Sequence, residues 1–284
     1  MKRHIKPTKR IFWLVAILFL VTAPVFGDEA DDYYNSGVAK AAKGDSNGAL
    51  VDFSKAIELK PDYVEAYNKR GIVKQTKGDS DGAISDFNKC IQLNPTFPKA
   101  YNNRGLMKEA NGDLDGALVD LNKAITLNPN LAQPFFNRGN VKRDKNDTNS
   151  AIADYNKAIE LDTNFSQAYD NRGLLKANKG DLDGALADYN KAIELNPKHA
   201  AAFSNRGLAK ANKGDLNGAL ADYNKAIELN PKFAEAYYNR GVLKRTKNDL
   251  DGSIADFTTA CELNAKLRER IIAKGYLMRN VTPK

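Results

Sequence analysis

The chain has 284 residues, 42% hydrophobic and 27% charged, with a formal net charge of +8. Such a composition excludes a wholly disordered chain and a bundle of membrane-spanning helices. Five of the positive charges, Lys2, Arg3, Lys6, Lys9 and Arg10, precede the first apolar segment, so the remainder carries about +3, too little to argue for a nucleic-acid surface.

Ile11 to Val21 is an unbroken apolar run, followed by Thr22-Ala23-Pro24-Val25-Phe26-Gly27 and then the acidic pair Asp28-Glu29. A basic start, an apolar core and small residues before an acidic stretch make the layout of a secretory signal peptide. Cleavage is expected after Gly27, which divides the chain into a signal at 1–27, a body at 28–265 and a C-terminal segment at 266–284. The expected location is periplasmic or secreted. The alternative is an uncleaved anchor from Ile11 to Phe26, although the apolar run is short for a bilayer span of about 20 residues. No Cys follows the run, which excludes a lipoprotein anchor.

The body is periodic. Gly37, Gly71, Gly105, Gly139, Gly173, Gly207 and Gly241 fall 34 residues apart, and Gly275 continues the series. An aromatic precedes each of the seven by four positions, from Tyr33 to Tyr237. Downstream run an Ala row from Ala49 to Ala219, closed by Ser253, a bulky row from Phe53 to Phe257, and a Leu row from Leu59 to Leu263. Pro61, Pro95, Pro129, Pro197 and Pro231 close five units. Each unit reads as two helices. In the unit from Ser166 to His199 the first helix is expected to run to about Lys179, and Gly180 ends it in a left-handed conformation. Asn146 and Asn248 replace that Gly in two units, and Asn is the next-best residue there. An Asp follows in every unit, from Asp45 to Asp249, as the N-cap of the second helix. Cys90 and Cys261 take small apolar slots about five units apart and read as buried thiols.

These rows resemble the tetratricopeptide repeat (TPR) family, whose signature is an aromatic, Leu-Gly, Tyr, Ala, Phe and Pro at fixed spacing in 34 residues. The resemblance implies an all-α fold: a right-handed α-solenoid, or superhelix, of helix-turn-helix TPR units with a concave groove. Lys266 to Asn280 reads as one further, polar helix that caps the stack.

Two rows depart from the family pattern. Arg70, Arg104, Arg138, Arg172, Arg206 and Arg240 stand where the family has Leu, and the second helices carry Asp52, Asp86, Asp120, Asp154, Asp188, Asp222 and Asp256. Pairing each Asp with the Arg 18 residues later leaves Ser36 with no Asp to serve and gives Asp256 the partner Lys274. The expectation is an ion-pair ladder between successive units. Lys40, Lys74, Lys108, Lys142, Lys176, Lys210 and Lys244 replace the family's Tyr. Their expected role is to cover core surface with alkyl stems while the ammonium reaches water, against the alternative of a basic stripe.

Nothing in the body assembles a catalytic or metal-binding constellation. After the signal there is one His, His199, and no Ser-His-Asp, Cys-His, HExxH or Cys cluster. The Asp79-Ser80-Asp81-Gly82 string lacks the acids a calcium loop needs upstream and at its end, so Asp79 is read as a helix cap. Three Asn-x-Ser/Thr triplets, at Asn146, Asn164 and Asn280, matter only in a eukaryotic secretory pathway. The informative polar row is Asn35, Asn103, Asn137, Asn171, Asn205 and Asn239, interrupted by Lys69, beside an apolar row from Val38 to Val242 that Asn140 interrupts. It resembles the asparagine ladder that holds peptide backbone in the groove of O-linked N-acetylglucosamine transferase. An amide carries both donor and acceptor, so it can bond a peptide group without reading its side chain; the alternative is that the row belongs to the Asn-Arg-Gly form of the repeat and meets only water. The carboxylate clamp of co-chaperones is not supported, because Tyr34 and Val38 occupy its first positions.

The sequence therefore points to a non-catalytic protein-protein interaction scaffold without a cofactor. Its groove would take an extended or helical segment of a partner protein or peptide through Asn35, Asn103, Asn137, Asn140, Asn171, Asn205 and Asn239. Neither nucleic acid nor a small-molecule substrate is expected, and membrane contact only if the N-terminal segment stays uncleaved.

Overall fold

The computed structural model describes residues 26–276. Residues 1–25 of the predicted signal at 1–27 and the chain after Tyr276 lie outside the described residues, and the predicted cleavage point falls inside the first helix. Seven helix pairs follow one another: α1 Phe26–Ala42 with α2 Ser46–Leu59, α3 Val64–Thr76 with α4 Ser80–Leu93, α5 Pro98–Ala110 with α6 Leu114–Leu127, α7 Ala132–Asp144 with α8 Thr148–Leu161, α9 Ser166–Asn178 with α10 Leu182–Leu195, α11 Ala200–Asn212 with α12 Leu216–Leu229, and α13 Ala234–Thr246 with α14 Leu250–Leu263. A single shorter helix, α15 Ala265–Ala273, closes the array. No strand occurs among the described residues. Each helix packs on its partner and on the next unit, and consecutive first helices also touch each other, as α1–α3, α5–α7 and α11–α13 do. The second helices make no such contact, so the first helices line the inside of an α-solenoid.

Within each pair the helices meet over a ring and a glycine. Phe53, Phe87, Leu121, Tyr155, Tyr189, Tyr223 and Phe257 are all at most 1% exposed, and burying a side chain of this size contributes about 1.5–3 kcal/mol. The glycine row makes room for them. A Cβ on Gly139 would stand 2.7 Å from Tyr155 Cε1. The turn between helices is made as the sequence predicts: Gly180 has φ +85°, and Asn146 and Asn248 take φ 63° in the units that lack that glycine. Each following Asp accepts a backbone N–H at the start of the second helix, Asp79 from Gly82 at 2.9 Å among them, which is the cap reading.

The ion pairs differ from the expectation. Arg138 donates from Nε and Nη2 to both carboxylate oxygens of Asp154, at 2.9 and 2.6 Å. The partner lies 16 residues later in the same unit, and Arg70, Arg104, Arg172, Arg206 and Arg240 repeat the fork on Asp86, Asp120, Asp188, Asp222 and Asp256. Asp52 is not an exception waiting for the next unit, since Ser36 Oγ donates to it at 2.6 Å. Nor does Asp256 meet Lys274. The reason is reach: Arg and Asp face each other across the α–α contact of one unit, and a fork needs both oxygens in one plane. A link between units does exist, through a residue the pattern did not single out. Nη1 of Arg104, Arg138, Arg172, Arg206 and Arg240 donates to Asn88, Asn122, Asn156, Asn190 and Asn224 of the preceding unit, at 2.7–2.8 Å. Each guanidinium also lies over the aromatic three residues before it, as Arg138 does over Phe135 at 5.4 Å.

The Lys row is neither a free stripe nor a set of solvated ammoniums. Lys142 Nζ sits 2.7 Å from Asp154 Oδ2, and the six other Lys residues, from Lys40 to Lys244, make the same contact. Every Asp of the row is thus almost wholly buried, and six of the seven lie between two cations.

The cap is shorter than expected. α15 stops at Ala273, and Gly275 carries φ +69°. That glycine falls in the 34-residue register but ends a helix instead of admitting a ring, and a Cβ there would meet nothing within 4 Å. Leu267 and Ile271 are buried against α14 with Phe257 and Ala260, so α15 seals the last unit with two apolar side chains as well as its charges. Cys90 and Cys261 are buried as read, and burial pushes the Cys90 thiol up to about 12.

Candidate functional site in the concave groove

The groove is shaped by a row that the sequence reading passed over. Immediately before the Asn row stand Tyr34, Asn68, Asn102, Phe136, Asp170, Ser204 and Tyr238 on the first helices. The residue 29 positions later, at the entry to the next first helix, faces several of them. Tyr34 meets Tyr63 at 5.0 Å between ring centroids, and Phe136 meets Phe165 at 4.7 Å. Where the row holds Asn68 and Asn102, the short amides leave the facing Phe97 and Leu131 without a ring to pack on. A cleft of 530 Å³ opens there, lined by Tyr34, Asn68, Phe97, Asn102, Leu131 and Pro134 among others. Lys69 and Lys99 reach its rim, and Glu65 and Asp162 balance them.

The predicted Asn row lies on the same helices but is not a free array. Asn103 Nδ2 donates to Asn68 Oδ1 at 2.9 Å, and Asn137 Nδ2 to Asn102 Oδ1 at 2.8 Å. Asn205 does the same to Asp170 at 3.1 Å. In the unit where Phe136 offers no acceptor, Asn171 turns to Asn140 Oδ1 at 2.9 Å, which also accepts from Tyr155 Oη at 2.8 Å. The amides therefore tie neighbouring first helices together. Asn137 is 1% exposed, and its Oδ1 accepts from Gln133, so neither end of that amide is open to a ligand. The side chains of Asn35 and Asn239, at the two ends, make no hydrogen bond among the described residues. The signal for this network was present in the sequence as the variable row beside the constant one, but a variable row reads as noise until its partners are known.

At one joint the facing pair is ionisable. Asp170 is 6% exposed and lies 3.7 Å from His199 Nε2, while His199 Nδ1 is buried with no hydrogen-bond partner. His199 itself occupies the N-cap position of α11 without a side-chain cap hydrogen bond. Burial pushes the Asp170 carboxyl up, with the Asn205 hydrogen bond and the His199 charge opposing. No group of three or more His, Cys, Asp or Glu side chains placed to hold a metal ion occurs among the described residues.

Family models of the tetratricopeptide repeat match residues 64–97, 98–131 and 234–267, and a TPR repeat model matches 37–78, 139–180, 177–214 and 210–245. The chain belongs to the TPR family. Members of this family are generally non-catalytic scaffolds for protein-protein interaction. Among solved structures, MamA is 30% identical over 58% of this chain and 96% of its own, with a TM-score of 0.50. YrrB, a TPR protein described as having an unusual peptide-binding site, is 27% identical over 65% of this chain and 95% of its own, also at 0.50. The Cut9 and Hcn1 assembly of the APC/C aligns over 89% of this chain and 49% of its own at a TM-score of 0.76 and 18% identity, a likeness of fold alone. No curated protein matches the sequence.

Proposed function

We propose that the protein is exported and cleaved after Gly27, and that its groove holds an extended or helical segment of a partner protein. The observation that carries the groove reading is the cleft across units one to four, whereas export rests on the N-terminal sequence pattern alone. The cleft combines an apolar floor from Ile72, Phe97, Leu131 and Pro134 with a wall of the amides Asn68, Asn102 and Asn103, of which Asn68 Nδ2 is the end without a hydrogen-bond partner among the described residues. Apolar surface supplies affinity to an inserted side chain, and the few polar groups fix its orientation. The peptide-binding relative YrrB supports the same use of the fold. The Asn row contributes less directly than its spacing suggests. Asn35 and Asn239 offer whole amides to a ligand, while the engaged members hold the first helices in register beneath it.

The test fills the cleft by copying a neighbouring unit. Asn68→Phe places a ring opposite Phe97, as Phe136 stands opposite Phe165. Peptides selected by display against the full chain are expected to bind this variant at least about tenfold more weakly. Val119→Ser, an exposed position on α6 away from the groove, leaves binding unchanged. Equal binding by wild type and Asn68→Phe rejects the cleft as the peptide site.

A further inference from the structure

A second cleft of 370 Å³ lies at the other end of the groove, where units six and seven meet α15. Leu208, Tyr238 and Val242 contribute to its apolar floor, and Asn239 stands beside them. Leu208 is 43% exposed, the only large hydrophobic of the first helices in that state among the described residues. The charged residues lining this cleft are Arg270 and Lys274, and none of its lining residues is acidic. That separates it from the first cleft, where Glu65 and Asp162 offset two lysines.

Neither cation makes an ion pair among the described residues, for a structural reason. Lys274 falls in the register of the Arg row, 34 residues after Arg240. In every earlier unit that register finds a carboxylate on the following helix. No helix follows α15 among the described residues, so Lys274 makes no ion pair there. The Arg270 guanidinium stands over Tyr238, 4.6 Å from the ring centroid, a contact that leaves its charge unneutralised. Arg270 sits in the last turn of α15 and Lys274 is its C-cap, where the helix end favours a cation. The result is one positive charge placed over Tyr238 and a second, exposed one beside it, both lining an apolar cleft.

We propose that this cleft is a docking site for an acidic, apolar peptide segment, with carboxylates meeting Arg270 and Lys274 and a Leu-sized side chain resting on Leu208 and Val242. Charge complementarity argues for that occupant over the chain's own C-terminal residues, which carry Arg279 and Lys284 and no acid after Glu269. The site is separate from the cleft of units one to four, so either can fail alone.

The experiment uses the full chain and a fluorescein-labelled, C-terminally amidated Glu-Leu-Asp-Leu-Glu peptide, read by anisotropy beside its uncharged Gln-Leu-Asn-Leu-Gln counterpart. The acidic peptide is expected to bind about tenfold tighter than the uncharged one, and the advantage shrinks as salt rises. Lys274→Gln alone, and Arg270→Gln with Lys274→Gln, are expected to remove the advantage, while Asn68→Phe keeps it. Circular dichroism checks that each variant retains its helices, and Lys274→Gln, which removes no packed side chain, decides the matter if the double variant unfolds. Equal binding of the two peptides overturns the proposal, as does acidic-peptide binding that survives Lys274→Gln. Loss of that binding in Asn68→Phe moves the site to the first cleft and overturns it too. Vesicles of phosphatidylglycerol form a further arm, and their capture in place of the peptide, abolished by Lys274→Gln, overturns it in favour of a lipid surface.

Discussion

Replacing the two partners of one ion pair in turn should give unequal losses, and the inequality follows from the geometry. Asp154 holds Arg138 by two bonds of 2.9 and 2.6 Å and Lys142 at 2.7 Å. Its side chain is 5% exposed, against 19% for Arg138 and 22% for Lys142. Arg138→Ala removes the fork but leaves the buried carboxylate with Lys142, so the expected cost is about 1.5–3 kcal/mol, the scale of hydrogen bonds to a charged group. Asp154→Ala strands two cations against the core, and breaking a buried pair from that side costs about 3–5 kcal/mol. A double-mutant cycle on Arg138 and Asp154 should show a coupling of about 1.5–3 kcal/mol, whereas Arg138 with Asp120, the pair across the unit boundary, should couple by less than about 0.5 kcal/mol. Urea melts followed by circular dichroism supply the numbers. They need a nearest-neighbour fit, because a repeat array does not unfold as one two-state block. Hydrogen exchange on α7 and α8 localises the loss. The reasoning fails if Arg138→Ala costs as much as Asp154→Ala, or if the cross-boundary pair couples as strongly as the pair within the unit.

Three other outcomes are expected. Gly139→Ala should cost about 1–3 kcal/mol by pressing a methyl onto Tyr155, and Tyr155→Leu, which copies Leu121 of the preceding unit, should recover part of that loss in a thermal melt. Asn137→Ala should destabilise the array by about 1–3 kcal/mol, because Asn102 and Gln133 lose their partner. An unchanged melting temperature would contradict the tie between first helices. Asp170→Asn should raise the melting temperature at pH 7. The Asp170 carboxyl is pushed up by burial, so its ionised form costs the folded state stability above that raised pKa. The cost vanishes below the unfolded value, and the gain from the amide should fade as the pH is lowered through this window. A gain that grows on acidification would contradict the sign.

The mature N-terminus is a separate measurement. Mass spectrometry of the exported protein should find Asp28 first. A chain that begins at Met1 would instead favour retention of the apolar segment.

The sequence by itself determined the repeat, the two helices of each unit, the left-handed turn and the Asp cap. All are local: they depend on residues within one or two turns of each other, and their spacing is printed directly in the chain. Only the tertiary structure decided the partners. Two rows that each repeat every 34 residues contain a pair at 16 and a pair at 18 at once, so periodicity cannot separate the unit from its neighbour. The ends of the array were the sole discriminator, and they misled, because Ser36 serves Asp52 through a hydroxyl and Lys274 faces a cleft. The same limit hid the groove. The variable row from Tyr34 to Tyr238 has meaning only against the residue 29 positions on, and that contact exists because one helix pair cannot bury its inner edge until the next pair is stacked on it.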